Sequence, residues 1–271
     1  MSVKKIKRIS YIQRCKAHGE HKGKKITMLT CYDHTFAKLI NRTDIDMVLI
    51  GDSLGSVILG YDDTTKVRMR DMVYHTRAVA PAITRACVCV DMPFMSYSST
   101  PQALRNAKRL MQAGAHAVKL EGGEQVCEQV KAIVDVGVPV LGHLGFTPQS
   151  VHALGGFVIQ GKTEEVQTKI LQDALALQAA GAFAIILELM PSALAATITS
   201  ELRIPTIGIG AGAHCDGQVL VLYDMLGCDA DFSPKFLKKY ARLSDTILGA
   251  INAFNAEVRS GVYPDDAHSY D

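Results

Sequence analysis

The chain contains the stretch Ala117-Val-Lys-Leu-Glu-Gly-Gly123, in which a short apolar run ends in a charged residue and two glycines. Five comparable runs begin at Met47, Ala86, Val138, Phe183 and Thr206. Apolar runs of this length, bounded by Gly and Pro, are typical of strands buried on both faces of a parallel sheet. An earlier run at residues 26–32 adds a first strand, and helix-like segments separate the runs. This alternation predicts an α/β protein with a parallel sheet.

The chain length favours a closed sheet. At 271 residues the chain is close to the roughly 250 residues typical of a (β/α)8 barrel. We therefore predict a single-domain TIM barrel over residues 26–271, with a doubly wound open sheet as the alternative. The eighth strand has the weakest signal, and we place it at residues 230–232. A glycine-bearing insertion at residues 146–162 is predicted to be a lid loop.

The first 25 residues are basic, with nine Lys or Arg against one acid. We interpret residues 1–25 as an N-terminal extension, a helix or arm, with Ile9, Ile12 and Cys15 on the apolar side of a helix. Few serines and no aromatic-studded basic surface argue against a transit peptide and against a nucleic-acid partner. The apolar runs are too short to span a bilayer, so we expect a soluble protein without a membrane partner. Seven scattered cysteines without a C-x-x-C motif favour free thiols in a reducing cytoplasm.

Polar side chains stand near the ends of five different runs, namely Asp52, Asp91, Glu121, His143 and Glu188. In a barrel, such strand ends converge on the C-terminal mouth, where the active sites of this fold lie. Each residue alone could be a helix cap, a salt bridge or a hydrogen-bonded core histidine. Their similar positions on five runs favour a catalytic site instead.

The acids at the ends of three of these runs suggest a metal site. Asp52, Asp91 and Glu121 offer only hard oxygen ligands, which favours Mg²⁺ over zinc. Lys119 lies on the same strand face as Glu121. It would suit an anionic substrate group such as a carboxylate, although a structural ion pair with Glu121 is the alternative.

Two further residues are candidates for proton transfer. Glu188 is flanked by apolar residues and is the candidate general base, and His143 is a second candidate. The stretch Gly208-Ile-Gly-Ala-Gly212 is only weakly typical of dinucleotide binding, because its spacing is G-x-G-x-G. Tight turning or a phosphate cradle explains these glycines as well.

Several motifs together carry a family resemblance. They are Gly51-Asp-Ser-Leu-Gly55, Asp91-Met-Pro-Phe-Met95, Val118-Lys-Leu-Glu-Gly-Gly123, Gly142-His-Leu-Gly145, Thr147-Pro-Gln-Ser150, Leu187-Glu188, Gly208-Ile-Gly-Ala-Gly212 and Pro234-Lys-Phe236. With these motifs the sequence resembles the 3-methyl-2-oxobutanoate (ketopantoate) hydroxymethyltransferase family, nearly end to end. The resemblance implies a (β/α)8 barrel that assembles as a homodecamer and works in pantothenate biosynthesis.

The resemblance also implies a reaction and its residues. The family transfers a hydroxymethyl group from 5,10-methylenetetrahydrofolate to 3-methyl-2-oxobutanoate through a Mg-stabilised enolate, giving 2-dehydropantoate. The implied Mg²⁺ ligands are Asp52, Asp91 and Glu121, the implied 2-oxo acid contacts are Asp52, Ser53, Asp91 and Lys119, and the implied base is Glu188. Val158 occupies a lid position where the family often carries a basic residue, which leaves the lid's contacts to the folate open.

Two alternative functions are also compatible with the sequence. A Mg²⁺-dependent mutase or lyase of the phosphoenolpyruvate mutase and isocitrate lyase kind would share the barrel and the acids. Such enzymes tend to carry a catalytic cysteine in the lid, and residues 147–162 contain none. A non-catalytic binding barrel is the other alternative, but it would not need all of the strand-end acids.

Overall fold

The computed structural model describes residues 9–16 and 23–270. Its strands form a closed parallel barrel in sequential order, which confirms the predicted (β/α)8 fold. The strands are β1 Ile26–Thr30, β2 Met47–Ile50, β3 Cys87–Asp91, β4 Ala117–Glu121, β5 Val140–Gly145, β6 Ala184–Glu188, β7 Thr206–Ile209 and β8 Gly217–Leu220. Because a closed barrel has no free sheet edge, each of these strands has two hydrogen-bonded neighbours.

Helices alternate with the strands. They are α1 Ile9–Arg14, α2 His34–Ile40, α3 Leu54–Val57, α4 Met69–Val79, α5 Thr100–Ala113, α6 Cys127–Asp135, α7 Val151–Leu154, α8 Glu164–Ala179, α9 Ser192–Glu201, α10 Leu222–Met225 and α11 Leu243–Ser260. Helix α5 shows how local sequence sets these bounds. A proline stands in its first turn, where no backbone N–H is needed, and Gly114, whose φ is 116°, caps the helix after Ala113.

Helix α1 packs against the barrel core. Ile12 and Cys15 are buried and belong to one apolar cluster with the first residues of several strands, among them Ile26 and Met47. The ammonium group of Lys16, which is also buried, donates to Asp216 Oδ2 at 2.7 Å. Residues 1–8 and 17–22 of the predicted N-terminal extension lie outside the described residues.

The predicted eighth strand at residues 230–232 is wrong, because that segment contains bends and no strand. The strand that closes the barrel is β8, in which Gly217 pairs with both Ile26 and Ile207. A Cβ atom at position 217 would lie 2.5 Å from the Ile26 carbonyl oxygen, so this pairing requires a glycine. A strand that contains a glycine and an exposed glutamine presents no apolar run to detect.

The chain divides into two compact units, Met1–Val221 and Leu222–Asp271. The first contains α1 and the whole barrel, and the second contains α10 and α11. Helix α11 has no buried residue and exposes Ile247, Leu248, Ile251, Phe254 and Val258. Within residues 9–16 and 23–270, no helix is long and apolar enough to cross a membrane. All seven cysteines are free, as predicted.

Candidate active site

The strand-end residues lie together at the C-terminal mouth of the barrel. Asp91 ends β3 and pairs with Lys119 of β4, and Glu121 at the end of β4 pairs with His143 of β5. Asp52 follows β2, and its backbone N–H donates to Asp91 Oδ2 at 3.0 Å. All five side chains are buried. Burying this many charged groups is costly unless they are paired, so their mutual contacts matter.

Lys119 is the centre of this cluster. Its Nζ lies 3.2 Å from Asp91 Oδ2, 3.4 Å from Glu121 Oε1 and 3.2 Å from His143 Nδ1. Burial alone would lower the pKa of Lys119, but the charges of Asp91, Glu121 and Asp52 outweigh it and raise that pKa. Lys119 is therefore a buried cation, and its ion pair with Glu121 matches the structural alternative considered for this residue.

For two of the three acids, the neighbouring groups do not fully offset the effect of burial on the pKa. Burial raises the pKa of both Asp52 and Asp91, and for Asp52 the charges of Asp91 and Glu121 add to the rise. Asp91 Oδ1 is buried and has no hydrogen-bond partner among the described residues. Glu121 differs, because Lys119 and His143 outweigh the effect of burial and lower its pKa.

His143 bridges two carboxylates. Its Nδ1 lies 3.1 Å from Glu121 Oε1, and its Nε2 lies 3.1 Å from Glu188 Oε2. The second contact is an ionic approach without hydrogen-bond alignment, since Nε2 has no hydrogen-bond partner within the described parts of the chain. Burial and Lys119 lower the pKa of His143, but the two carboxylates outweigh them and raise it to about 9. The two carboxylates therefore favour the protonated form of the ring.

Gln149 holds the acids in place and was not among the predicted site residues. Its side-chain amide donates to Asp52 Oδ2 at 2.7 Å and to the Met92 carbonyl at 2.9 Å, and its backbone N–H donates to Glu121 Oε2 at 2.9 Å. The hydroxyl of Tyr97 donates to Gln149 Oε1 at 2.6 Å and fixes the amide orientation. The sequence signal for this residue is the motif Thr147-Pro-Gln-Ser150, in which Gln149 is uncharged, polar and buried in the structure.

Ser53 lies beside Asp52 at the start of α3. Its Oγ lies 2.8 Å from the hydroxyl of Tyr32, a buried residue that the sequence analysis also left without a role. A Cβ atom at Gly51 would lie 2.8 Å from the same Oγ, so the glycine leaves room for the hydroxyl. The hydroxyl of Ser53 is therefore held in place next to the acids.

Glu188 ends β6 with a side chain that is 17% exposed, more open than the buried cluster. The next residue, Leu189, has a φ of 46°. A left-handed conformation at a non-glycine residue costs on the order of 1–3 kcal/mol and is common at functional sites. Gly145 packs against this turn so closely that a Cβ would lie 2.1 Å from the Glu188 carbonyl oxygen. The backbone of Glu188 is thus held in one position.

The predicted lid loop, residues 146–162, is tied to the same turn at both ends. The N–H of Phe146 donates to the Glu188 carbonyl at 2.9 Å, and that of Gln160 donates to the Leu189 carbonyl at 2.9 Å. Between these anchors, Phe157 is 75% exposed. Its ring centroid lies 4.9 Å from that of Phe146. The loop is therefore anchored at both ends to the turn that carries Glu188.

The glycines after β7 are explained by turning and close packing. Gly210 and Gly212 have φ values of 62° and 79°. A Cβ atom at Gly212 would lie 2.4 Å from the Cβ of Ser192. The positive φ explains glycine at both positions, and the close contact with Ser192 is a second reason at Gly212.

The donor set partly fits a metal. Within the described residues, no three His, Cys, Asp or Glu side chains form a ready group for a metal ion. Both oxygens of Glu121 accept hydrogen bonds or ionic contacts from Lys119, His143 and Gln149. Asp52 and Asp91 fit Mg²⁺ better, because both are buried carboxyl groups and Asp91 Oδ1 has no hydrogen-bond partner among the described residues, which suits a hard cation. Glu121 as a third ligand stays a prediction.

A closed parallel barrel with buried acids and a lysine at its C-terminal mouth defines the class of a (β/α)8 enzyme. Phosphonopyruvate hydrolase in complex with oxalate and Mg²⁺ has this fold, with a TM-score of 0.62 and 13% identity over 98% of this chain and 92% of that chain. A 2,3-dimethylmalate lyase, a member of the phosphoenolpyruvate mutase and isocitrate lyase superfamily, gives a TM-score of 0.61 at 13% identity, covering 96% of this chain and 91% of that chain. At such identities the likeness concerns the fold alone.

The profile of the ketopantoate hydroxymethyltransferase family matches residues 8–266. The 3-methyl-2-oxobutanoate hydroxymethyltransferase of Syntrophus aciditrophicus (strain SB) is 55% identical over 251 residues, 92% of each chain. That of Geobacter sulfurreducens is 50% identical over 270 residues, 99% of this chain and 100% of the relative. The chain therefore belongs to the ketopantoate hydroxymethyltransferase family, which confirms the predicted family and the prediction of an enzyme.

Proposed function

We propose that the enzyme transfers a hydroxymethyl group from 5,10-methylenetetrahydrofolate to 3-methyl-2-oxobutanoate and releases 2-dehydropantoate for pantothenate and coenzyme A synthesis. The observation that carries the proposal is the buried cluster of Asp52, Asp91 and Lys119 beside the more open carboxylate of Glu188. A 2-oxo acid presents a carboxylate and a keto oxygen, so it needs a cation for each and a base near C3. The names of the curated relatives agree with this substrate.

The substrate's carboxylate would be held by Lys119 and Ser53, which supply an ammonium and a hydroxyl donor. Asp52 and Asp91 would hold Mg²⁺, with Glu121 as the third ligand, and their positions also bring them next to the bound oxo acid. When bound, Mg²⁺ would polarise the keto group and stabilise the enolate that forms on loss of the C3 proton. Gln149 keeps Asp52 and Glu121 oriented toward this role.

Glu188 is the base in this proposal. Its carboxylate takes the C3 proton, and C3 then forms a bond to the methylene carbon of the folate. The bonds from that carbon to the folate nitrogens break, one water supplies the hydroxyl group, and tetrahydrofolate leaves. His143 contacts Glu188 on the side of Glu121, so we assign it the role of positioning the base.

The family resemblance also leads us to propose a homodecamer in the cytoplasm. The exposed apolar side chains of α11 support an assembly, because patches of this kind commonly mark protein–protein contacts. Light scattering coupled to size-exclusion chromatography would measure the number of subunits, and a monomer at micromolar concentration would contradict the proposal.

Exchange of the C3 proton tests the chemistry. In deuterated water, NMR should show Mg²⁺-dependent loss of the C3 proton of 3-methyl-2-oxobutanoate without any folate. Adding 5,10-methylenetetrahydrofolate should then give 2-dehydropantoate. If the wild-type enzyme with Mg²⁺ neither exchanges the proton nor forms the product, the proposed function is wrong.

A further inference from the structure

A cleft of about 600 Å³ opens beside the catalytic cluster, between the segments that follow β2 and β3. We call it the basic cleft, and its defining residues are Lys66, Arg68, Phe94, Met95, Arg105 and Arg109. None of the residues assigned to the oxo acid, the metal or the base lines the cleft. The 2-oxo acid is small, and its carboxylate is already served by Lys119, so the cleft is free for another ligand.

The wall of the cleft continues directly into the catalytic cluster. Asp91 ends β3, and Phe94 and Met95 follow it by three and four residues. The carbonyl of Met92, between them, accepts the same Gln149 amide that holds Asp52. A ligand in the cleft would therefore lie next to the site where the oxo acid reacts.

The cleft has an apolar rim in a strained conformation. Met95 has a φ of 59°, a backbone conformation that residues other than glycine rarely adopt. The side chains of Phe94 and Met95 are 44% and 58% exposed. An aromatic ring and a thioether held at the opening provide a surface on which a flat ring can stack.

The charges in the cleft are largely uncompensated. Within the part of the chain that the structure describes, no Asp or Glu lines the cleft, and no carboxylate forms an ion pair with Arg68, Arg105 or Arg109. Among the described residues, the carboxylate that pairs with Lys66 is that of the exposed Asp62, at 3.1 Å. Such an excess of positive charge in a concave surface attracts anions.

One arginine is oriented by buried neighbours. Arg109 Nη1 donates to Asn106 Oδ1 at 3.3 Å, and the amide of the buried Asn106 donates to the Ser96 carbonyl at 2.7 Å. The hydroxyl of Ser96, which also lines the cleft, is buried without a hydrogen-bond partner among the described residues. The arginine side is thus a built surface, and guanidinium groups match carboxylates in geometry.

Together these features fit a ligand with an aromatic ring followed by one or more carboxylates. We propose that the basic cleft binds the p-aminobenzoyl-glutamate part of the folate donor, with its ring on Phe94 and its glutamate carboxylates on Arg105 and Arg109. The inference rests on the proposed function and adds the location of the cosubstrate. It also implies a preference for polyglutamylated folate, because each further glutamate adds a carboxylate.

The test compares Arg105→Gln/Arg109→Gln with Lys108→Gln, a neutralised exposed lysine on the same helix that does not line the cleft. For the double arginine variant we expect KM for 5,10-methylenetetrahydrofolate to rise about tenfold or more. We also expect its preference for the triglutamate over the monoglutamate form to disappear. Lys108→Gln should retain both wild-type values.

Exchange of the oxo acid's C3 proton without folate is measured on the same samples, since it reports a folded site that needs no cosubstrate. A normal exchange rate with a raised folate KM supports the cleft assignment, whereas normal exchange with an unchanged KM overturns it. If the arginine variant instead loses subunits in size-exclusion chromatography while KM stays unchanged, the cleft is a contact between copies and the inference is wrong. Lack of exchange in the wild type would count against the proposed function and not against the cleft.

Discussion

Nε2 of His143 lies 3.1 Å from Oε2 of Glu188, while Nδ1 of the same ring lies 3.1 Å from Oε1 of Glu121. One imidazole thus connects a carboxylate of the buried cluster to the carboxylate proposed as the base. Burial and Lys119 lower the pKa of His143, and the two carboxylates raise it to about 9. The ring can therefore hold the carboxylate of Glu188 in place through this contact.

Replacement of the base should abolish proton removal with little effect on binding. For Glu188→Gln we expect C3 exchange to fall by about 10²–10⁴-fold, since general-base catalysis typically contributes that much. The dissociation constant of the oxo acid should change little, because the amide preserves the shape of the side chain. NMR exchange and isothermal titration measure the two quantities, and Glu201→Gln, on the exposed end of α9, is the control. Wild-type exchange in Glu188→Gln would show that another group is the base.

Replacement of His143 should affect the reaction only through Glu188. For His143→Asn we expect a smaller loss of exchange, about 10–100-fold, with the KM of the oxo acid nearly unchanged. A double variant with Glu188→Gln should be no slower than Glu188→Gln alone, because residues that act as one unit are not additive. Multiplied losses in the double variant would instead indicate that His143 acts independently of Glu188.

The contrast between β3 and β8 shows what could be predicted of the fold. The apolar run of β3 is buried along its whole length, so the sequence pattern and the structure carry the same information. In β8, Gly217 is required by the carbonyl of Ile26, about 190 residues earlier in the chain. A requirement set by a neighbouring strand leaves no local pattern, which is why the strand was misplaced.

The same distinction applies to the site. Lys119 and Glu121 could be placed together because residues two apart share a strand face, and both contact one another here. Gln149 could not, because it lies beyond the end of β5, and its bond to Asp52 joins positions 97 residues apart. Strand parity predicts which charges meet, but the loop residues that orient them depend on tertiary structure.

Metal binding should depend chiefly on Asp52 and Asp91. We expect Asp91→Asn to weaken Mn²⁺ binding, measured by electron paramagnetic resonance as a probe for the Mg²⁺ site, by at least tenfold. Removal of divalent ions with a chelator should stop C3 exchange, and added Mg²⁺ should restore it. Glu121→Gln tests the third predicted ligand, since a direct ligand should cause a comparable loss of Mn²⁺ affinity. Unchanged affinity in both variants would place the metal elsewhere.

Asp224 should make the protein more stable in mild acid than at pH 8. Burial, with a smaller contribution from Asp229, raises its pKa from 3.8 to about 6 in the folded chain. The protonated carboxyl group therefore contributes stability that is fully present below about pH 4. This contribution is lost as the pH rises through about 6, because the folded chain must then ionise a half-buried group. Asp224→Asn should raise the free energy of unfolding at pH 8 by about 1 kcal/mol, allowing for solvent screening of a half-buried group, and should have little effect at pH 4. Urea unfolding at both pH values measures this free energy, and Asp231→Asn, at an exposed position, is the matched control. An equal effect of Asp224→Asn at the two pH values would contradict the raised pKa.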